Sequence, residues 1–196
     1  MKKHFALLTL LSSLLLFGSC LRTRTENIAY FDQHLTQADT TSALWLNEFC
    51  ARGAAYPDEL NPSSPDHWME IYNKTSSPIA LDTANYYLSG DSTLTVGGMY
   101  KLNTFTIPAH GYIVVFGDDS NKTTNLHMHA NFHVSKQGGF IGLYHNNTTN
   151  HVLTTINSID YDSIAVSGSS WGVYPDGSPN WNQYTIPSPG LANPHP

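Results

Sequence analysis

The segment Asp66-His67-Trp68-Met69-Glu70-Ile71-Tyr72-Asn73 reads as a β-strand with large side chains on both of its faces. Successive side chains of a strand point to opposite faces, so Trp68 and Tyr72 share one face with Glu70, while Met69 and Ile71 share the other. Apolar bulk on both faces is expected of a strand in the middle of a packed structure. If Glu70 is buried there, its carboxylate needs hydrogen bonds, and backbone N–H groups or a tyrosine hydroxyl are the expected donors.

Short segments of the same kind make up the rest of the chain from Leu44 onward. They are rich in β-branched and aromatic residues, and turn signals such as Gly97-Gly98 and Pro175-Asp176-Gly177 separate them. No long window after the first twenty residues has the 3.6-residue period of a helix. The pattern therefore predicts an all-β fold, an antiparallel β-sandwich with Greek-key connections. The predicted strands are Leu44–Ala51, His67–Asn73, Ile79–Leu88, Lys101–Thr106, Tyr112–Phe116, Leu126–Val134, Phe140–His145, His151–Tyr161 and Ser170–Val173.

The order and spacing of these motifs resemble the lamin tail domain family. The residues that carry the resemblance are Trp45-Leu46-Asn47-Glu48-Phe49, Asp66 to Asn73, Leu81-Asp82, Tyr86-Tyr87-Leu88-Ser89, Phe105-Thr106-Ile107-Pro108, Gly111 to Val115, Asn131 to Leu143, Trp171 to Gly177 and Ser188 to Asn193. The resemblance implies an immunoglobulin-like, lamin-tail-like antiparallel β-sandwich over residues 44–196 that serves in interactions. The chain departs from the family pattern at two positions, where His133 replaces a usual lysine and Val173 replaces a common arginine.

Composition excludes several classes of protein. The 196 residues carry nine Lys and Arg side chains against fifteen Asp and Glu, a formal charge of −6. There is no basic surplus to neutralise phosphates, so we predict no nucleic-acid partner. Two cysteines are too few for a disulfide framework or a four-thiolate zinc site. Cys50 is predicted to be a small residue of the core.

The first twenty residues have the features of an export signal. Lys2 and Lys3 precede the apolar run Phe5–Phe17, which at thirteen residues is shorter than the roughly 20 needed to span a membrane. The run ends in Phe17-Gly18-Ser19-Cys20, which resembles a bacterial lipobox and implies lipid attachment at Cys20. We therefore expect residues 1–19 to be a lipoprotein signal peptide and residues 20–43 to be the lipidated N-terminus and a tether.

Lipid attachment would place the domain on a membrane of the bacterial cell envelope. Two or more acyl chains hold a protein stably, whereas one chain is marginal. Leu21 follows Cys20 where an aspartate would favour retention in the inner membrane, so the outer membrane is the expected location. The expected partners are the membrane, through the lipid, and an envelope protein or glycan of unknown identity.

Histidines are the first candidates for chemistry. In the stretch from His127 to Val134, alternation predicts that His127, His129 and His133 face outward while Met128 faces the core. His127 and His129 would lie about 6.6–7 Å apart, close enough to converge on one metal ion, whereas His133 would lie about 13 Å beyond His129. Zinc or copper suits imidazole, and a third ligand would have to come from a neighbouring strand or loop. The alternative is a solvated polar face.

Acidic loops are a second candidate. Asp118-Asp119 follows a predicted strand, and Asp58-Glu59 and Asp66 fall in the long loop before Trp68. Carboxylates at loop tips can bind Ca²⁺, although no EF-hand spacing is present. Solvated loop charge is the simpler interpretation.

No catalytic constellation emerges from the sequence. A P-loop and an H-E-x-x-H motif are both missing, and the turn-like stretch Ser167 to Ser170 has no linked base. We therefore predict a non-catalytic, membrane-tethered binding or adhesion module without a cofactor. Two alternatives stay open: a surface lipoprotein that binds zinc or copper through His127 and His129, and a small envelope hydrolase with a site split across loops.

Overall fold

The computed structural model describes residues 41–53, 56–62, 67–93, 95–147, 149 and 152–196. Contacts divide the chain into two units, Met1–His34 and Leu35–Pro196, and all described residues belong to the second. The predicted signal peptide, Cys20 and the tether up to residue 40 lie outside the described residues. In the part of the chain that is described, no helix has the length and apolar character needed to cross a membrane.

The described residues form mostly β-structure in three sheets, which confirms the all-β prediction. The largest sheet contains, in spatial order, β13 (Trp181–Tyr184), β12 (Ser170–Val173), β1 (Leu44–Cys50), β2 (Trp68–Asn73), β7 (Tyr112–Phe116), β9 (Met128–His129) and β8 (Lys122–Thr123). The second contains β11 (Val152–Asp162), β10 (Gly138–Asn147), β4 (Tyr86–Ser89) and β5 (Tyr100–Lys101). The third pairs β3 (Ile79–Ala80) with β6 (Thr106–Ile107). A one-turn helix, α1 (Leu81–Ala84), and a 3₁₀ turn (Val96–Gly98) complete the described elements.

Four sequence predictions need correction. The predicted strand Lys101–Thr106 is not one strand, because Lys101 ends β5 and Thr106 begins β6 in a different sheet. The predicted strand Ile79–Leu88 is broken by α1, which ends at Asn85 in the left-handed conformation with φ 52°. The predicted strand Leu126–Val134 forms a regular ladder only at Met128–His129, because its later residues bond irregularly to Phe116 and Gly117. The pairing is also not wholly antiparallel, since β9 runs parallel to β7.

One hydrophobic core joins the two larger sheets. Leu46 and Ile71 of the seven-stranded sheet belong to the same buried cluster as Leu88, Leu143 and Ile156 of the four-stranded sheet. All seven residues of β1 are buried, because the strand has hydrogen-bonded neighbours on both sides and covered faces. Burial of this apolar surface is the main favourable term for such a fold.

The opposite face of the seven-stranded sheet, called here the outer face, is also covered. Trp68 and Phe116 form a second buried cluster there with Cys50 and Val114, and Tyr56 from the loop after β1 packs against it. The predicted division of β2 into two apolar faces is therefore confirmed, and Cys50 is buried as expected. The 56–62 segment covers one end of this face, and residues 188–193, called here the C-terminal segment, cover the other end.

A β-bulge in β1 positions the polar groups that hold the C-terminal segment. The β1–β2 register advances by two residues on β1 between Leu46 and Glu48 but by one on β2, so Asn47 is the extra residue and Glu48 faces Glu70. Bulges re-aim side chains in this way. The Asn47 amide donates to the Glu70 carboxylate at 3.0 Å and to Asp176 at 3.1 Å.

Glu48, Glu70 and Asp176, together with Asn47 and Asn193, form a network that we call the C-terminal clamp. Glu48 accepts a hydrogen bond from the backbone N–H of Ser188 at 3.1 Å, and Glu70 accepts one from the N–H of Gly190 at 2.6 Å. The expectation that backbone N–H groups satisfy a buried Glu70 is thus confirmed.

Asn193 closes the clamp. Its side-chain amide donates to the carbonyls of Asn47 at 3.1 Å and Val173 at 2.9 Å, and its backbone N–H donates to Asp176 at 3.1 Å. A Cβ on Gly172 would come within 2.8 Å of the Asn193 amide nitrogen, so glycine is needed beneath it. Residues 188–193 are therefore held against β1, β2 and β12 by specific hydrogen bonds.

We expect Asn193→Ala to lower the free energy of unfolding by about 2–4 kcal/mol, because it leaves two buried carbonyl groups without hydrogen-bond donors. Asn180→Ala is the matched control, since Asn180 is exposed, and it should change stability by less than about 0.5 kcal/mol. Urea denaturation of both variants measures the difference. Equal stability of the two variants would show that the clamp does not hold the C-terminal segment.

The clamp also predicts a pH dependence. Burial raises the pKa of Glu70 well above its usual value of 4.5, and the Glu48 carboxylate adds to the rise. Because the folded pKa is the higher one, the stabilisation is complete below pH 4.5 and is lost as the pH rises through the folded pKa. Glu70→Gln should therefore show a shallower fall in unfolding free energy above pH 4.5 than the unaltered chain. Parallel curves for the two proteins would contradict this assignment.

Candidate functional site

Carboxylate and imidazole side chains meet where the 56–62 segment crosses the end of the seven-stranded sheet. Cys50 of β1 pairs with Trp68 of β2, which in turn pairs with Phe116 of β7, so the loops that follow β1 and β7 emerge at the same end. The chain comes into the sheet at Leu44, the other end of β1. The residues that meet there form what we call the histidine–carboxylate cluster: Asp58, Glu59, Asp118, His127 and His129.

His129 lies at the centre of the cluster. Its side chain is 0% exposed, and its two ring nitrogens each face a carboxylate: Nδ1 lies 2.9 Å from Asp118 Oδ2, and Nε2 lies 3.3 Å from Glu59 Oε1. Pairing of β9 with β7 places His129 opposite Phe116, whose ring stacks on the imidazole with centroids 5.1 Å apart. The imidazole is therefore fixed in position and orientation by its neighbours.

Glu59 connects the two histidines that the sequence singles out. Its second oxygen lies 2.7 Å from His127 Nδ1, and the Thr124 hydroxyl also donates to its carboxylate. Burial by itself would raise the pKa of Glu59, but the hydrogen bonds from Thr124, His127 and His129 outweigh it and lower the pKa to about 2. The Glu59 carboxylate is therefore ionised at neutral pH.

Asp58 and Asp118 complete the cluster from two different loops. Asp58 is only 3% exposed, and its Oδ1 accepts hydrogen bonds from the N–H groups of Leu60 at 2.7 Å and Asn61 at 3.2 Å. Asp118 is held by the Ser120 hydroxyl, which donates to Oδ2 at 2.9 Å. One ligand atom from each of Asp58, Asp118 and His129 lies within 4.8 Å of the other two.

Aromatic rings surround His127. The ring centroids of Tyr56 and Phe116 lie 5.6 and 5.1 Å from that of His127, both in edge-on geometry. Such packing restricts the rotamers of the imidazole, whose side chain is 19% exposed. The cluster therefore has one fully enclosed imidazole and one that reaches the surface.

A second pair of imidazoles lies beside the cluster. The rings of His67 and His133 are 4.3 Å apart, and the backbone of His133 pairs with that of Asp118 in an isolated bridge. Burial lowers the pKa of His67, and the neighbouring His133 lowers it further. This end of the sheet is consequently the richest in imidazole among the described residues.

The structure brings together candidates that the sequence presents separately. His127 and His129 both contact Glu59, and Asp58, Glu59 and Asp118 from two predicted acidic loops join them. The expected outward exposure is wrong for His129, although its strand face is as predicted, because the 56–62 segment covers the outer face. Seventy positions separate Glu59 from His129, so no local spacing signals their contact.

No catalytic role is predicted for Ser170, and its position in the structure is that of a buried hydrogen-bond donor. The stretch Gly168-Ser169-Ser170-Trp171-Gly172 has the G-x-S-x-G spacing of hydrolase nucleophiles, which usually lie in a strand-to-helix turn. Here Ser170 is a buried residue of β12, and its hydroxyl donates to Glu48 at 2.5 Å. The serine therefore donates a hydrogen bond to a carboxylate of the C-terminal clamp.

The cluster offers imidazole nitrogens and carboxylate oxygens to a common space. Such a donor set can bind a transition-metal ion or hold protons between acid and base. No lysine or arginine contributes to its three ion pairs. Neither a protein-family model nor a curated protein matches the sequence of this chain. The site therefore has to be interpreted from its own geometry.

Replacement of Glu59 tests the cluster in the absence of any ligand. Because the folded pKa of Glu59 is about 2, its stabilisation is present above pH 4.5 and is lost as the pH falls toward 2. Glu59→Gln should therefore lose less unfolding free energy over this interval than the unaltered chain does. Glu70→Gln is the control, because its effect on stability lies above pH 4.5. Its unfolding free energy should fall between pH 4.5 and 2 as much as that of the unaltered chain. An unchanged acid loss in Glu59→Gln would contradict the contacts described.

Proposed function

We propose that the chain is a non-catalytic binding module, a lamin-tail-like immunoglobulin β-sandwich tethered by lipid at Cys20 to the bacterial cell envelope. The lipobox-like Phe17-Gly18-Ser19-Cys20 supports the location. Two larger sheets with a shared core support the sandwich. A lipid tether raises the local concentration of a binding surface at the membrane.

The clamp supports the resemblance to lamin tail domains. Glu70 comes from one motif of the resemblance, Asp176 from a second and Asn193 from a third, and the three meet in a single hydrogen-bond network. Motifs far apart in sequence are expected to meet in this way when they specify one fold. The resemblance itself assigns no ligand, because one fold serves many functions.

The observation that carries the proposed function is the position of the histidine–carboxylate cluster. It lies beyond the Cys50 end of β1, whereas the tether leads into the Leu44 end. A domain held at the Leu44 end presents the cluster at its other end. Fixed polar side chains beside the exposed Leu60 and Leu126 are typical of a recognition surface.

The tether is tested by replacing each of the two cysteines in turn. In cells fed labelled palmitate, we expect the unaltered protein and Cys50→Ser to carry the label and to sediment with membranes. Cys20→Ser should lose the label and leave the membrane fraction, because the acyl acceptor is removed. Retention of label by Cys20→Ser would contradict the anchor.

Binding is tested with the lipidated protein on native envelopes. After cross-linking and solubilisation, one envelope protein or glycan should co-purify with the unaltered chain and with Asp119→Asn, in which a neighbouring exposed carboxylate is neutralised. Asp118→Asn should recover less of the same partner, because Asp118 belongs to the cluster. Equal recovery with both variants would mean that the cluster end of the domain is not the binding surface.

A further inference from the structure

We infer that Asp58, Asp118 and His129 are the core ligands of a divalent-metal site. The inference rests on the proposed binding function in that it names an ion bound at the same surface. It differs from the paired-histidine site suggested by the sequence, because two of its three ligands are carboxylates from loops. His127 then contributes through Glu59 and not as a core ligand.

The distances favour a shared ion. Ligands of a tetrahedral zinc ion lie about 2.0–2.2 Å from the metal and therefore about 3.3–3.6 Å from one another. The ligand atoms of Asp58, Asp118 and His129 already lie within 4.8 Å of one another. Binding therefore needs the most distant pair of ligand atoms to close by at most about 1.5 Å.

The charge of the cluster also favours a cation. Three carboxylates, Asp58, Glu59 and Asp118, surround two imidazoles, so negative charge remains in excess even when both imidazoles are protonated. A divalent ion offsets this excess without requiring protonated histidines. Like charges that share a site repel strongly when they are partly removed from water.

Burial of Asp58 is a further reason to expect a cation at the cluster. The side chain is 97% buried, and among the described residues its hydrogen bonds come from backbone N–H groups of its own turn, with no lysine or arginine as an ion-pair partner. Removing a carboxylate from water is costly unless a charge compensates it. A metal ion shared with Asp118 and His129 supplies that compensation.

The donor set selects among metals. Imidazole suits zinc, copper and nickel, whereas carboxylates suit calcium, magnesium and manganese. A mixed site of one imidazole and two carboxylates fits zinc, which accepts both and requires only four ligands. Glu59 Oε1, 3.3 Å from His129 Nε2, is close enough to be a fourth protein ligand or to orient the ring.

Metal binding would fasten the 56–62 segment to the sheet. Asp58 belongs to this segment, whereas Asp118 and His129 follow or form strands of the sheet. An ion bound only by the folded chain stabilises it by mass action. Occupancy of the site should therefore raise the unfolding temperature as well as give a binding signal.

The test is calorimetric titration of the full-length chain in detergent with zinc chloride. We expect one saturable zinc site per chain, and at least about a tenfold loss of affinity in both Asp118→Asn and His129→Asn. The matched controls are Asp119→Asn and His110→Asn, which alter an exposed carboxylate and an exposed imidazole at positive φ, where asparagine is tolerated. Both controls should bind zinc like the unaltered chain.

Three outcomes overturn the assignment: no saturable zinc binding, equal loss in variants and controls, or a loss in His127→Asn as large as that in His129→Asn. Because His129 is buried, thermal unfolding without zinc establishes whether each variant is folded, and Asp118→Asn provides the near-isosteric test. Zinc should raise the unfolding temperature of the unaltered chain and not that of Asp118→Asn. The titration uses purified protein, so its failure leaves the palmitate and envelope experiments, which test the proposed function, unaffected.

Discussion

Among the described residues, buried carboxylates are compensated by amides, hydroxyls and imidazoles instead of by lysine or arginine. Glu48 and Glu70 face each other across two central strands, a position from which water is excluded. Backbone N–H groups of Ser188 and Gly190 satisfy them and thereby fix the C-terminal segment. The path of that segment depends on this requirement, because buried acceptors without donors would cost more than the fold can easily tolerate.

The same constraint operates at the other end of the outer face, with different donors. At the clamp, backbone and asparagine N–H groups satisfy the carboxylates. At the histidine–carboxylate cluster, Glu59 and Asp118 face imidazoles. Within the part of the chain that the structure describes, the Asp58 side chain accepts hydrogen bonds only from N–H groups of its own turn. The 56–62 segment and the C-terminal segment are thus each held against the seven-stranded sheet by contacts that involve acidic side chains. Protein groups donate hydrogen bonds to the carboxylates of the clamp, whereas the cluster has more carboxylates than imidazoles and thus excess negative charge.

Much of the fold could be predicted from local pattern. The bounds of β7 and β12 agree with the sequence prediction, and β1 differs from it by one residue, because alternating bulky side chains and flanking turns specify them. The strand β13 was not predicted, since Trp181–Tyr184 has too few β-branched residues for its pairing with β12 to be visible locally. Tertiary contacts also decide that Leu81 begins a helical turn within a segment of strand-like composition.

The candidate site could be predicted only in pieces. Strand alternation places His127 and His129 on one face, and turn signals place Asp58 and Asp118 in loops. That these pieces meet depends on the 56–62 segment crossing the outer face, which Tyr56 secures by packing on Trp68 and Phe116. This long-range contact has no signature in the sequence, and it also explains why His129 is enclosed and not solvated.

The most direct test of this account is a crystal structure of the zinc-soaked protein with anomalous data collected at the zinc edge. The account predicts one anomalous peak about 2.0–2.2 Å from a ligand atom of each of Asp58, Asp118 and His129, with no peak at Glu48 and Glu70. A peak bound instead by the clamp carboxylates, or no peak within the histidine–carboxylate cluster, would contradict it.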